Sequence, residues 1–121
     1  MQVPILKQGD VLIASVQAAL TDKDLMQLKD ELAERVGKFR ASGVIIDVSA
    51  LDVLDSFATR TLRGIAQTTK LRGAETVIVG VQPEVAMAMV QLGLTLDDVS
   101  TALDLEEGFE LITGRKGEAR A

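Results

Sequence analysis

The side chains best suited to chemistry lie in the segment DVLDSFATRTLRG, which runs from Asp52 to Gly64. Within it, Ser56 directly follows Asp55 at a point where the pattern predicts the start of a helix. A serine there can act as an N-cap, accepting a backbone N–H through its side-chain oxygen. A hydroxyl can equally accept a phosphoryl group, which adds roughly 1.5–2 negative charges and three acceptor oxygens. The residue pattern alone leaves both hypotheses open: a helix cap or a phosphorylated switch.

Two threonines in the same segment are weaker candidates for modification. Thr59 falls in the first turn of the predicted helix, where we expect it to be exposed. We expect Thr61 to pack, or to donate a hydrogen bond back within the helix. Phe57 is interpreted as a core residue, with a partner-facing aromatic as the alternative.

Three carboxylates around this segment raise the alternative of a Mg²⁺ site, because carboxylate oxygens are preferred ligands of that ion. They are Asp47, at the end of a predicted strand, and Asp52 and Asp55 in the loop that follows. A phosphoryl receiver would also need a lysine at the end of a later strand, and VIVGV offers none. We therefore interpret Asp47 as a hydrogen-bond acceptor in the loop, and we predict no metal site and no cofactor.

The composition excludes several classes of function. The chain has no histidine and no cysteine, so Ser-His or Cys-His nucleophiles, thiolate or imidazole metal sites and disulfides cannot form. The net charge of −5 and the absence of Tyr and Trp argue against nucleic acid as a partner. Neither a G-x-x-x-x-G-K-S/T loop nor a G-x-G-x-x-G turn is present. A small enzyme or nucleotide-binding domain is therefore a hypothesis with few chemical groups to support it.

Length and hydropathy bear on organisation and location. The 121 residues suit one domain, which we place at 1–121, with a core at about 3–112 and a polar, frayed tail at 113–121. No apolar run approaches the ~20 residues that a membrane span needs. The N-terminus also lacks the basic and apolar regions of a signal peptide. We therefore expect a cytoplasmic protein without a membrane partner.

The periodicity predicts an alternating series of strands and helices. The first two strands, Val3–Lys7 and Val11–Gln17, flank a Gly-Asp turn. The first helix follows, with Thr21 as its N-cap and Gly43 just past its C-cap. The later predicted elements are a buried strand over Val44–Ser49, a helix over about Ser56–Leu71, the strand ETVIVGV, the helix QPEVAMAMVQLGL, a short edge strand DVSTA and a last short helix from near Asp104.

This order predicts an α/β domain with a mixed, mostly parallel sheet of four or five strands flanked by about four helices. The first hairpin makes the sheet mixed, and the continuous apolar strands indicate burial on both faces. The helix QPEVAMAMVQLGL has apolar residues on more than one face. Most of these are interpreted as core, but Met87 and Met89 also raise the hypothesis of an exposed methionine patch that contacts a partner or another copy.

The stretch GVIIDVSALDVLDSFATRTL resembles the signature of the STAS domain family, in which a buried strand ends in Asp and a short loop leads to Asp-Ser at the start of a helix. The segments PILKQGDVLIASVQ, VGVQPEVAMAMVQLGL and TALDLEEGFE resemble the stressosome branch of this family. The resemblance covers residues 3 to about 112. It implies a mixed sheet of four or five strands flanked by helices, and a non-enzymatic scaffold role in partner switching within a large cytoplasmic complex.

The resemblance also implies partners and a modified residue. In this branch the scaffold and an RsbR-like STAS co-scaffold form homo- and hetero-oligomers that hold an RsbT-like serine kinase. The kinase phosphorylates the scaffold and leaves, and an RsbX-like phosphatase resets the system. The family's phosphoserine falls on Ser56 in the Asp-Ser-Phe motif of this chain. The residues predicted to contact the partner are Asp52, Asp55, Phe57 and Thr59.

One departure separates this chain from STAS proteins that bind an anti-sigma factor directly. Those proteins usually have the motif Asp-Ser-Ser/Thr-Gly, whereas in this chain Phe57 and Ala58 follow Ser56 and the glycine is missing. The resemblance therefore favours a stressosome scaffold, and a direct anti-sigma-factor antagonist is the alternative.

Overall fold

The computed structural model describes residues 3–18, 20–96 and 99–120. Along the chain, strands and helices follow in the order that the periodicity predicts. They are β1 (Ile5–Gln8), β2 (Val11–Ser15), α1 (Asp22–Phe39), β3 (Gly43–Asp47), α2 (Ser56–Leu71), β4 (Glu75–Val79), α3 (Pro83–Gln91), β5 (Ser100–Ala102) and α4 (Leu105–Arg120). The predicted edge strand DVSTA is present as β5, although its Asp98 lies outside the described residues.

The strands form one five-stranded sheet in the order β1-β2-β3-β4-β5. β1 pairs antiparallel with β2, and the other three pairs are parallel. A helix joins each parallel pair and the strand order advances in one direction, so right-handed crossovers place α1, α2 and α3 on the same face. α4 packs on the opposite face, against β3, β4 and β5. The predicted α/β fold, with a mixed sheet and four helices, is confirmed.

Two apolar clusters lie on the two faces of the sheet. The larger joins alternate strand residues such as Leu12, Ile46 and Ile78 to the inward stripes of α1 and α2. The smaller joins Ile45 to Ile112 of α4. Both faces of the central strands are thus covered, as their continuous apolar sequences predict. Among the described helices, none is both long and apolar enough to cross a membrane.

α1 begins as predicted and ends differently. Thr21 Oγ1 accepts the N–H of Asp24, and Asp24 Oδ2 accepts the N–H of Thr21 in return, which is a capping box. This hydrogen bond from the Thr21 backbone lowers the pKa of the Asp24 carboxyl below its usual value. Arg40 is the C-cap, with a left-handed φ of 50°, so the prediction that Gly43 ends this helix is wrong. Gly43 instead opens β3, where a Cβ would lie 2.6 Å from Ile112 Cδ1 of α4.

α4 extends beyond the predicted helix. The prediction of a short helix is wrong, because α4 continues to Arg120. Asp104 caps its start by accepting the N–H of Glu107 at 2.9 Å. Gly114 keeps a helical backbone and does not adopt the positive φ of a glycine that terminates a helix. The polar composition of the tail therefore does not stop the helix.

A pair of glycines on α4 tests how closely this helix packs on the sheet. A Cβ on Gly108 would lie 2.9 Å from Val79 Cγ1 and 3.3 Å from Ile45 Cδ1. Gly108→Ala should therefore lower the free energy of unfolding by about 1–3 kcal/mol, the usual effect of overpacking. A Cβ on Gly114 would meet nothing within 4 Å, so Gly114→Ala should raise that free energy by up to about 1 kcal/mol. Urea denaturation of both variants measures the difference, and equal effects would contradict this packing.

Candidate functional site

The loop between β3 and α2 carries most of the predicted site residues and turns tightly at the carboxyl end of the sheet. Asp47 Oδ1 accepts the N–H of Ser49 at 2.9 Å, so Asp47 acts as the predicted hydrogen-bond acceptor. The N–H of Leu51 donates to the carbonyl oxygen of Val48 at 3.0 Å. Leu54 is 4% exposed and anchors the end of the loop in the core. α2 therefore starts from a defined position.

A side chain from the next crossover holds this loop. Gln82 Nε2 donates to the carbonyl oxygen of Ser49 at 2.8 Å and lies 3.5 Å from Asp52 Oδ1. Gly80 follows β4 with a φ of +80°, and a Cβ there would lie 2.9 Å from Ser49 Cβ. Sequence reasoning missed Gln82. The sequence offered one signal, because Gln82 stands directly before Pro83, where a polar N-cap residue is common. The Gln82 side-chain amide, however, bonds to the loop and does not cap α3.

Asp55, and not Ser56, caps α2. Asp55 Oδ1 accepts the N–H of Ala58 at 2.8 Å, and the Asp55 backbone is extended, with φ of −79° and ψ of 178°. Ser56 is the first residue of the helix and is exposed. In the part of the chain that the structure describes, its hydroxyl makes no hydrogen bond. The cap hypothesis for Ser56 is therefore wrong, because the carboxylate one position earlier sets the helix start and leaves the serine hydroxyl free.

The two threonines of the segment are buried. Thr59 is 1% exposed, so the prediction that it lies at the surface is wrong, and it cannot contact a partner from there. Thr59 precedes Leu62 by three residues and therefore shares its buried face of α2. Thr61 Oγ1 donates to the carbonyl oxygen of Phe57 at 2.8 Å, as predicted. Of the three hydroxyls, only that of Ser56 is exposed.

The other predicted contact residues differ in position. Phe57 is half-buried and packs against the larger apolar cluster, in line with its interpretation as a core residue. Asp52 and Asp55 are exposed, so two carboxylates lie near Ser56 at the surface. Within the described ranges, no three acidic side chains come together in a way that could hold a metal ion. The alternative of a Mg²⁺ site with Asp47 therefore has no geometric support.

The match to a known family follows from this fold and site. Residues 2–108 match the family model of the STAS domain, and the chain belongs to the STAS domain family. Within that family it is similar to RsbS from Moorella thermoacetica, solved as a variant with a serine replaced by glutamate. The two are 35% identical with 100% of both chains covered, and the TM-score is 0.81. A chain in a solved structure of the stressosome, a signal integration and transduction hub, is 36% identical to this chain. The match covers 98% of this chain and 100% of that chain, and the TM-score is 0.78.

Curated relatives point to the same group of proteins. RsbT co-antagonist protein RsbRA from Bacillus subtilis is 29% identical over 84 residues, which are 69% of this chain and 31% of that protein. RsbT co-antagonist protein RsbRD from the same organism is 30% identical over 80 residues, which are 66% of this chain and 29% of that protein. The chain thus spans about a third of the length of these two curated relatives. It is a STAS domain related to the RsbS and RsbR proteins.

The cap assignment predicts different stabilities for two neighbouring variants. Asp55→Ala removes the acceptor of the Ala58 N–H, so the free energy of unfolding should fall by about 0.5–2 kcal/mol. Ser56→Ala removes an exposed hydroxyl, so we expect a change within about 0.5 kcal/mol. Urea denaturation measures both values. A larger loss for Ser56→Ala than for Asp55→Ala would show that the serine is the cap after all.

Two buried threonines of α2 form a second matched pair. Thr59 Oγ1 has no hydrogen-bond partner among the described residues, so Thr59→Val should leave the free energy of unfolding unchanged or raise it by up to about 1 kcal/mol. Thr69 Oγ1 lies 2.7 Å from Thr76 Oγ1 and donates to the carbonyl oxygen of Ile65 at 2.9 Å. Thr69→Val takes this partner from the buried Thr76 hydroxyl and should lower that free energy by about 1–3 kcal/mol. Equal losses on urea denaturation would argue against this difference in bonding.

Proposed function

We propose that this chain is a non-catalytic scaffold of a cytoplasmic, stressosome-type complex, which holds a serine kinase until that kinase phosphorylates Ser56. The proposed partners are an RsbT-like serine kinase, an RsbR-like STAS co-scaffold and an RsbX-like phosphatase that removes the phosphate. Homo- and hetero-oligomers form the assembled state. Membership of the STAS family and similarity to RsbS and to the RsbR relatives support this proposal.

One observation carries the choice of Ser56. Its hydroxyl is exposed at the first position of α2, whereas Thr59 and Thr61 are buried. A kinase must align the acceptor oxygen with the γ-phosphate that it transfers. An exposed residue at the start of a helix meets that requirement, whereas a residue in the core meets it only if α2 unfolds.

The start of α2 is chemically suited to hold a phosphate. The first N–H groups of a helix lack intrahelical acceptors, and the Asp55 carboxylate accepts only that of Ala58. The N–H groups of Ser56 and Phe57 belong to this first turn, where the helix dipole favours anions. Arg60 is exposed four residues after Ser56, the spacing at which opposite charges pair on a helix. We therefore expect the phosphorylated protein to keep its fold and to change mainly its surface.

A changed surface is enough to release a bound kinase. Asp52 and Asp55 already make this region acidic, and a phosphate adds roughly 1.5–2 further negative charges beside them. A kinase in contact with Ser56 then faces repulsion and the desolvation of a dianion. A loss of about 3–4 kcal/mol of binding free energy lowers an affinity by roughly two to three powers of ten. Such a switch needs no catalytic group in this chain.

A direct anti-sigma-factor antagonist is the alternative within the same family. Phe57 and Ala58 follow Ser56, so the glycine usual in that class is missing. Stoichiometric binding to a purified anti-sigma factor, without binding to an RsbR-like co-scaffold, would favour this alternative.

Intact-mass analysis tests the proposed acceptor. The chain is incubated with MgATP and the purified RsbT-type kinase of the same organism, beside the Ser56→Ala and Ser49→Ala variants. Ser49 is the matched control because it is an exposed serine in the same region of the molecule. We expect one phosphate on the wild type and on Ser49→Ala, and none on Ser56→Ala.

The affinity of the kinase for both forms completes this test. The phosphorylated wild type should bind the kinase at least about a hundredfold more weakly than the unmodified chain. A phosphate on Ser56→Ala, or an unmodified wild type, would contradict the assignment of Ser56.

A further inference from the structure

Helix α3 has apolar side chains on more faces than a surface helix usually shows. Val85 and Met89 are buried in the larger apolar cluster, whereas Met87 is 63% exposed and Val90 is 79% exposed. A surface helix normally turns polar residues outward, and contiguous exposed apolar patches mark binding sites. Met87 is thus exposed while Met89 belongs to the core, so the two methionines do not form one exposed patch, and contact of α3 with a partner stays a prediction.

A groove runs between α3 and the start of α2, with a volume of about 220 Å³. Its apolar lining consists of Val53, Leu54, Val85, Ala88, Leu92 and Leu94. Of these, Val53 and Leu92 are each 72% exposed. Because an apolar cavity of about 150 Å³ holds a benzene molecule, this groove has room for one large apolar side chain.

The proposed phosphorylation site forms part of the same groove. Ser56, Asp52 and Asp55 line it together with the apolar residues. An apolar surface and two carboxylates therefore adjoin the serine hydroxyl.

We propose that this groove binds an apolar side chain of the serine kinase, flanked on the kinase by a cationic residue that faces Asp52 and Asp55. This inference rests on the proposed function, in which Ser56 is the acceptor. The occupant follows from position, because an enzyme whose active site reaches Ser56 must cover the groove wall that contains Ser56. A large apolar group seated in such a groove excludes water and contributes strongly to binding.

The same placement makes the contact sensitive to phosphorylation. In the unmodified protein, an apolar side chain in the groove removes Val53 and Leu92 from water, which favours binding. A phosphate on Ser56 places a dianion in the wall of that groove, and its desolvation opposes the contact. The groove that binds the kinase and the phosphate that releases it are therefore adjacent on one surface.

Three serine substitutions test the groove. Leu92→Ser and Val53→Ser remove its most exposed apolar side chains, and Leu71→Ser is the matched control, since Leu71 is 90% exposed at the end of α2. Thermal unfolding checks that all three variants fold. Isothermal titration with the RsbT-type kinase of the same organism and a non-hydrolysable ATP analogue gives the affinity, and initial rates with MgATP give kcat and KM.

We expect both groove variants to bind the kinase roughly tenfold more weakly and to raise KM by a similar factor at unchanged kcat. Leu71→Ser should stay within about twofold of the wild type. Because Val53 and Leu92 lie in different segments, the affinity can still be measured with one variant if the other does not fold.

Three results would overturn the groove as the kinase site. One is wild-type affinity in both groove variants, and another is an equal loss in Leu71→Ser. The third is a loss of self-association on analytical ultracentrifugation with kinase binding unchanged, in which case the groove contacts another copy of the chain. In each case, one phosphate on Ser56 of the wild type leaves the proposed function intact. Absence of that phosphate would instead contradict the proposed function itself.

Discussion

The hydrogen bond from the Ala58 N–H to the Asp55 carboxylate, at 2.8 Å, sets where α2 begins. Successive side chains of α2 lie about 100° apart around the helix axis, and the buried Leu62 and Ile65 fix which of its faces packs on the sheet. With Asp55 as the cap, Ser56 is exposed while Thr59 and Leu62 face the core. A start one residue later would engage the serine hydroxyl in capping and remove the one exposed hydroxyl among the three in this segment.

The Asp55 cap depends in turn on the loop before it. The buried Leu54 holds the residue that precedes the cap. Gln82 donates to the carbonyl oxygen of Ser49, and the close approach of Gly80 to Ser49 leaves no room for a side chain there. These contacts join the loop between β3 and α2 to the start of α3, and the bond from Gln82 to Ser49 spans 33 positions of the sequence. A modification at Ser56 therefore acts on a surface whose parts are already held together.

Sequence patterns predicted the order and type of the described elements, because the helical stripes of α1 and α2 and the continuous apolar strands are strong signals. They did not predict the cap of α2, since Asp55 and Ser56 stand side by side and both residue types cap helices well. The expectation that Thr59 is exposed rests on its place in the first turn and overlooks its spacing of three residues from Leu62, which puts both side chains on the buried face of α2. The contact of Gln82 with Ser49 spans 33 positions, and no local pattern encodes it.

Under the proposed function, the two states of Ser56 differ in what a partner must bury. The unmodified state presents a neutral hydroxyl beside an apolar groove and two carboxylates. The modified state adds a dianion whose counter-charges, the first N–H groups of α2 and the side chain of Arg60, belong to the scaffold itself. A kinase that covers this surface must strip water from the phosphate without supplying the groups that already hold it. The switch therefore depends on the solvation of one surface, and the scaffold does not have to change its fold.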